Sequence, residues 1–288
     1  MHTPLAWPGR RIAATNPSQK TGRETKSGFV DGSRHFPEGE SMENSSHPFS
    51  AAERAAVYRS IFTRRDVRSQ FLPDAIPDAV LSRVLLAAHH APSVGFMQPW
   101  NFLLVRSPAV KQRVHAAFSQ ANDEAAAMFP DEKRQRYSQL KLQGILDAPL
   151  NLCITCDRSR SGPVVLGRTH MPSMDLYSSV CAVQNLWLAA RAEGLGVGWV
   201  SIFHEAALQA ALGIPPEIVP IAYLCLGYVS EFKDKPELES AGWLPRLPIN
   251  ELVYFEQWGE ADFGQNEALT AALAEMQAAI QQRGDFPV

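Results

Sequence analysis

The sequence predicts an α+β domain in which helices dominate. Apolar or amphipathic segments of helical length recur along the chain, and four short apolar runs between them have the length of buried strands. These strands and helices are mixed along the sequence, as in α+β proteins. The chain has 288 residues, 45% of them hydrophobic, so it can bury a substantial core.

Composition excludes several classes of function. The net charge is −3, so no strongly basic face for nucleic acid is expected. The longest apolar run, residues 218–229, is too short to span a bilayer and contains Pro220. The N-terminus has no apolar signal-peptide core, and all four cysteines lie in apolar surroundings, as reduced thiols do. We therefore expect a cytoplasmic protein that binds neither membrane nor nucleic acid.

Three regions follow from the local composition. Residues 1–48 are rich in Gly, Pro, Ser and charge without apolar periodicity, which predicts a disordered tail. Residues 49–259 carry the apolar segments and form the predicted domain. Residues 260–288 are predicted to be a C-terminal helical extension, with a helix from about Asn266.

Local signals place each element of the domain. Ser50 and Glu53 form a capping-box pattern ahead of the first helix, and Pro77 opens the second. The run 174–193 is apolar nearly all round, which predicts an interior helix. The long stretch 158–173 has no periodicity and is predicted to be a loop, a frequent origin of lids. The other predicted elements are helices 51–63, 77–90, 108–128, 131–146 and 204–212, and strands 101–106, 150–155, 197–202 and 221–229.

The first candidate for chemistry is the run Arg64-Arg65-Asp66-Val67-Arg68, at the end of the first helix. Arg64 and Arg68 are four residues apart and share a face if the helix continues. Two guanidinium groups on one face could clamp a phosphate. Asp66 could pair with an arginine or point elsewhere. The alternative interpretation is a solvated charge run with local ion pairs.

The second candidate is the loop of residues 91–100, between a helix and a strand. Pro92 and Pro99 stiffen its ends, and Gly95 permits a tight backbone. Ser93 and Gln98 could donate hydrogen bonds to the edge of a heteroaromatic ring. The alternative is a well-packed loop with Trp100 as its anchor in the core.

The third candidate is the run 194–201, with glycines at alternate positions and Ser201 at the end of a strand. Such glycines suggest that another group approaches the backbone closely; the alternative is a helix C-cap at Gly194 followed by a Gly-rich strand.

The pair Cys153 and Cys156 is expected to be structural, because residues three apart in a strand point to opposite faces.

Together and in this order, these motifs resemble the nitroreductase superfamily. That family has an Arg-x-Ser/Asp-x-Arg/Lys helix end, a Pro-Ser-x-x-x-x-Gln-Pro-Trp loop, a Gly-rich strand and a late Arg-x-Pro, here Arg246-Leu247-Pro248. Typical members of the family carry Asn at the position of Phe96. Phe96, together with Asp66, matches the subfamily of 5,6-dimethylbenzimidazole synthases. The resemblance covers about residues 49–259 and is supported by the further strings 165–170, 174–191, 196–203, 223–227 and 236–248.

The resemblance implies a mostly antiparallel sheet wrapped by helices and a homodimer with two flavin sites at its interface. Reduced FMN would be the substrate, supplied by a separate flavin reductase. Molecular oxygen would be the co-substrate, and 5,6-dimethylbenzimidazole and D-erythrose 4-phosphate the products, with no metal required. The family's critical pair corresponds to Asp66 and Ser201. The positions implied to contact the flavin are Arg64, Arg65, Arg68, Ser93, Met97, Gln98, Gly198, Trp199 and Arg246.

Two other functions stay open at this level. A conventional NAD(P)H-dependent reductase would retain FMN and oxidise nicotinamide, although Phe96 and a lid formed by residues 158–173 are expected to crowd the nicotinamide face. A non-catalytic module that stores or delivers FMN would share the binding residues, but would have no evident need of Asp66 and Ser201.

Overall fold

The computed structural model of the protein describes residues 48–259 and 263–283. Helices surround a central sheet, which confirms the α+β prediction. The predicted tail lies outside the described residues, apart from Pro48. The elements in chain order are α1 (Ala51–Thr63), α2 (Asp78–His89), β1 (Trp100–Val105), α3 (Pro108–Ala127), α4 (Asp131–Ser138), β2 (Leu150–Asp157), α5 (Met174–Ala192), β3 (Leu195–Val200), α6 (Glu205–Leu212), β4 (Ile218–Tyr228), α7 (Glu237–Ser240) and α8 (Phe263–Arg283), with short 3-10 turns at Val94–Phe96 and Ile249–Glu251.

Within the described residues, four strands form one antiparallel sheet in the order β1-β2-β4-β3. Trp100 of β1 lies opposite Cys156 of β2, and Leu195 of β3 lies opposite Tyr228 of β4. The two inner strands, β2 and β4, are buried on both faces, which explains why their sequences are continuous apolar runs. The sheet therefore forms the rigid middle layer on which the site is built.

Helices cover both faces of the sheet. On one face, α2 and α5 pack against alternate residues of β2, such as Leu152 and Ile154. On the other face, α3 and α6 enclose a second cluster that contains Cys153 and Tyr223. Since Cys156 contacts Ser179 of α5, the two cysteines of the C-x-x-C point to opposite faces, as predicted. Cys153 is a buried free thiol, and burial raises its pKa to about 12, as expected of a structural cysteine.

Two helix predictions were wrong in their boundaries. The helix expected over 131–146 ends at Ser138. Ile145 and Ala148 are needed in the second core cluster, and the Gln143 side chain accepts the hydrogen bond of the Ile145 amide in place of a helical carbonyl. The terminal helix begins at Phe263, three residues before Asn266. At Asn266 itself the backbone leaves helical geometry.

None of the helices within residues 48–259 and 263–283 has the length and apolar character needed to cross a bilayer.

Candidate functional site

The basic segment after α1 is extended, not helical. The helix ends at Thr63, and Arg64 already has extended backbone angles. Asp66 then forms a parallel bridge with Val197 of β3, and the Val67 amide donates to the Val197 carbonyl at 2.9 Å. Because the helix does not continue, Arg64 and Arg68 do not share a helical face. Pairing with the edge of the sheet supplies the hydrogen bonds that a further helical turn would have made.

This pairing depends on a glycine in β3. A Cβ atom on Gly198 would lie 2.0 Å from the carbonyl oxygen of Val67, far inside contact distance. Only a residue without a side chain lets the segment lie this close to the strand. The predicted close approach at the Gly-rich strand is therefore confirmed, and the approaching group is the chain itself.

Asp66 is the ionisable centre of the segment. Its carboxylate accepts a hydrogen bond of 2.8 Å from the Trp199 amide and forms an ion pair of 2.5 Å with Arg68. Burial raises the pKa of Asp66 and outweighs the opposite effects of Arg68, the Trp199 amide and Arg64. A carboxyl group with a raised pKa, held in fixed geometry, is suited to proton transfer.

Three arginines flank Asp66 along the chain, and two of them, Arg64 and Arg68, act on its charge. The Arg64 guanidinium lies over the Trp187 ring at 5.0 Å from its centroid. Arg65 donates to the carbonyls of Phe62 and Arg64. Arg68 forms a second, longer ion pair with Glu237, with 3.9 Å between Arg68 Nη1 and Glu237 Oε2. Burial lowers the pKa of Arg64 and Arg65.

The nitrogen Nε of each of these three arginines is buried and has no hydrogen-bond partner within the described residues. Buried donors of this kind normally find an acceptor. Guanidinium forks match the oxygens of a phosphate, so the donor set fits the phosphate end of FMN.

Arg246 adds a further positive charge to this group. It is exposed on the segment after α7, and its charge lowers the pKa of both Arg64 and Arg65. The segment is fixed by Trp243, whose ring packs against Phe129 at 5.4 Å. The segment after α1, strand β3 and the late Arg-x-Pro therefore contribute to one region of the structure.

Ser201 lies directly after β3, two residues beyond Trp199. Its side chain is exposed, and its hydroxyl makes no hydrogen bond within the described part of the chain. Its position at the strand end is the one predicted. A hydroxyl in this setting can donate to, or accept from, a bound molecule.

Ser93, Met97 and Gln98 lie in the tight loop before β1. Positive φ angles at Gly95, Phe96 and Gln98 curl the backbone, and Ser93 Oγ accepts the Gln98 amide at 3.1 Å. Met97 is almost fully buried, whereas Phe96 is 82% exposed. Phe96, Met97 and Gln98 line an open cleft of about 690 Å³.

Within one chain, this loop and the arginine group contact α5 at different places. The Val94 amide donates to Ser178, near the start of α5, whereas the Arg65 carbonyl accepts from Trp187, nine residues further along the helix. At 1.5 Å per residue, the two contacts lie roughly 13 Å apart along α5. The structure therefore divides the predicted flavin contacts into two groups, with Ser93, Met97 and Gln98 in the smaller one.

Sequence reasoning missed several residues around these groups. Trp187 supports Arg64, and Glu237 approaches Arg68, but neither stood out in its local pattern. Asp175 was also missed, although a carboxylate in an otherwise apolar helix is a recognisable signal. In the described part of the chain, no three His, Cys, Asp or Glu side chains form a group able to hold a metal ion.

Comparison with known proteins identifies the family. A model described as Nitroreductase family matches residues 61–228. The 5,6-dimethylbenzimidazole synthase of Rhodospirillum rubrum is 44% identical over 185 residues, which cover 64% of this chain and 87% of that protein. The synthase of Rhodobacter capsulatus is 40% identical over 200 residues, which cover 69% and 96%.

Solved structures agree on the fold. A BluB-like flavoprotein from Clostridium difficile 630 superposes with a TM-score of 0.53 at 20% identity, over 70% of this chain and 99% of that one. The chain belongs to the nitroreductase family, and its resemblance to the 5,6-dimethylbenzimidazole synthases within that family is confirmed.

Proposed function

We propose that this member of the nitroreductase family is a 5,6-dimethylbenzimidazole synthase. It would use molecular oxygen to fragment reduced FMN into 5,6-dimethylbenzimidazole, the lower ligand of cobalamin, and D-erythrose 4-phosphate. One observation carries the proposal: a carboxyl group with a raised pKa, Asp66, lies against arginines with unpartnered buried donors. Two relatives that this chain matches at 40–44% identity carry the same enzyme name.

The arginine group would hold the phosphate end of the substrate. Arg64, Arg68 and Arg246 offer charge and planar donors, while Arg65, largely engaged by carbonyl oxygens, would stiffen the segment. A phosphate bound here would supply acceptors for donors that the protein leaves without a partner. This end of the molecule would fix the orientation of the reacting ring system.

Asp66 and Ser201 would act on the reacting part of the flavin, which supplies the redox chemistry when bound. Asp66 would receive or return a proton at its carboxylate, because its raised pKa brings it closer to the working pH. Ser201 would hydrogen-bond the ring system through its exposed hydroxyl. The amide of Trp199 would keep the Asp66 carboxylate in place while its charge changes.

A homodimer would complete the site. The loop with Ser93, Met97 and Gln98 is separated from the arginine group along α5, and a second copy could supply it to the first. Helix α1 has no buried residue and exposes Val57 and Tyr58 to 47% and 42%, which is typical of a surface that packs against another chain. Sedimentation velocity at micromolar concentration should give the mass of two chains.

The decisive experiment admits oxygen to anaerobically reduced FMN in the presence of the protein. Mass spectrometry should detect 5,6-dimethylbenzimidazole that is absent from a protein-free control. Asp66→Asn should lower the rate about 100-fold or more, the usual contribution of a general acid or base, and Ser201→Gly should also lower it. Asp74→Asn is the matched control, because it makes the same change at an exposed position in the same connection between α1 and α2.

Each other outcome decides against the proposal. If only oxidised FMN and peroxide appear, the synthase assignment fails, and rapid NADPH oxidation would then indicate a conventional reductase. Recovery of chemically unchanged FMN without either activity would indicate a binding module. If Asp66→Asn makes product at the wild-type rate, the protein's proton carrier is another group.

A further inference from the structure

Asp175 is a fully buried carboxylate in the first turn of the apolar helix α5. Arg158 Nε donates to it at 3.0 Å and Arg168 donates at 2.8 Å, while the Leu176 amide donates to its other oxygen. Burial opposes ionisation, but these hydrogen bonds outweigh it, so the pKa of Asp175 is lowered. Asp175 is therefore a charged group held between two arginines.

Both arginines belong to the long loop 158–173. Arg158 opens the loop and also donates to the Pro172 carbonyl at 2.6 Å, so it joins the two ends. Arg168 also donates to the Arg158 carbonyl at 2.6 Å. One carboxylate thus closes this loop at both ends, and the loss of these bonds would release most of its polar anchors near the helix.

The closed loop is interlocked with the flavin-contact loop before β1. Val165 is buried against Gly95, where a Cβ atom would lie 2.7 Å from Val165 Cγ1. Arg168 reaches Met97 Sδ at 3.9 Å, and Arg160 donates to the Gln98 carbonyl at 2.6 Å. The two loops are therefore in direct contact, and Asp175 anchors the arginines Arg158 and Arg168 on one side of this contact.

We propose that Asp175, through Arg158 and Arg168, is a positioning residue that keeps loop 158–173 closed on the loop of residues 93–98. The inference rests on the proposed function and concerns which of two reactions follows when reduced FMN meets oxygen, fragmentation or peroxide release. In an open site, reduced FMN passes two electrons and two protons to oxygen, and the products are oxidised FMN and hydrogen peroxide. Closure excludes water and favours fragmentation over this release.

The test compares Asp175→Asn and Arg168→Met with Glu193→Gln. The control removes a carboxylate at the far end of α5 that binds Arg83 through two bonds, at 2.7 and 2.8 Å. Peroxide and 5,6-dimethylbenzimidazole are measured for each reduced FMN consumed. We expect the ratio of peroxide to dimethylbenzimidazole to rise about tenfold in Arg168→Met, as the loss of a charged hydrogen bond predicts, and to stay unchanged in the control.

A merely structural ion pair would lower both products together and leave their ratio unchanged, and this result in folded variants would overturn the proposal. Arg168→Met decides the question if Asp175→Asn does not fold, since Arg158 still pairs with the carboxylate there. Arg168→Lys, which retains the charge, should recover part of the wild-type ratio.

Amide hydrogen exchange separates this inference from the proposed function. Even if the wild-type chain makes no dimethylbenzimidazole, Arg168→Met should lose protection across residues 158–173 and 93–98 together. Unchanged protection in both loops would overturn the positioning role of Asp175, whatever reaction the protein catalyses.

Discussion

Substituting Gly198 by alanine should displace the segment that carries Asp66. The new Cβ atom would lie 2.0 Å from the Val67 carbonyl oxygen, whereas carbon and oxygen atoms in Cα–H···O contacts are normally about 3.3–3.6 Å apart. The segment must therefore retreat by about 1 Å or more. Retreat breaks two hydrogen bonds, from Val67 to Val197 at 2.9 Å and from Trp199 to Asp66 at 2.8 Å.

The size of the effect follows from these two bonds. A neutral backbone hydrogen bond contributes about 1 kcal/mol and one to a carboxylate about 1.5–3 kcal/mol, so the loss is roughly 2.5–4 kcal/mol. A domain with a stability of about 5–15 kcal/mol would survive this loss in the folded state. Because Arg64 and Arg68 are on the displaced segment, we also expect the affinity for FMN to fall at least tenfold.

Gly213→Ala is the matched control. Gly213 has a positive φ, of 68°, at the end of α6, but no heavy atom lies within 4 Å of the point that a Cβ atom on it would occupy. The substitution should cost only the strain of left-handed backbone, about 1–2 kcal/mol, and leave FMN binding intact. Urea unfolding followed by circular dichroism and quenching of FMN fluorescence measure the two effects. If Gly198→Ala matched this control in stability and bound FMN normally, the close packing of the segment would not position the site.

Two further predictions concern the charged groups. Since the pKa of Asp66 is raised in the folded chain, its contribution to stability is present below the ordinary aspartate pKa of about 3.9 and is lost as pH rises through the raised value. Urea unfolding between pH 4 and 7 should show a decline in the wild type that Asp66→Asn lacks; parallel curves would contradict the raised pKa. Trp243→Ala should loosen the segment that carries Arg246 and raise the Kd for FMN about tenfold, the loss of one charged hydrogen bond. An unchanged Kd for FMN in this variant would argue against Arg246 as one of the arginines that bind the phosphate.

The sequence predicts the elements whose signals are local. The capping box of Ser50 and Glu53 forms as predicted, and α5, apolar nearly all round, lies in the interior. The boundaries that failed depend on distant partners. Helix α4 ends at Ser138 because Ile145 is required in a core formed with α3 and the sheet, and no pattern within residues 131–146 contains that information.

The same contrast between local signals and distant contacts holds for the candidate site. The motifs singled out Asp66, Ser201 and the arginines as candidates, because together and in this order they resemble the nitroreductase family. They could not show that Trp187 would lie under Arg64, nor that Asp175 would bind Arg158 and Arg168. These contacts join residues that are distant along the chain or lie in loops without periodicity, so only the folded structure brings them together.

A continued helix was expected to place Arg64 and Arg68 on one face. The extended conformation of residues 64–68 places them on one side for a different reason. In an extended chain, side chains at alternate positions point to one side, so Arg64 and Asp66 face together while Val67 turns inward and is 2% exposed. The electrostatic influence of both Arg64 and Arg68 on Asp66 agrees with this arrangement. One backbone pairing with Val197 thus positions both the arginines proposed to bind phosphate and the carboxyl proposed to transfer a proton. A change that shifts this pairing should therefore impair substrate binding and proton transfer together, whereas a change in a single side chain should separate them.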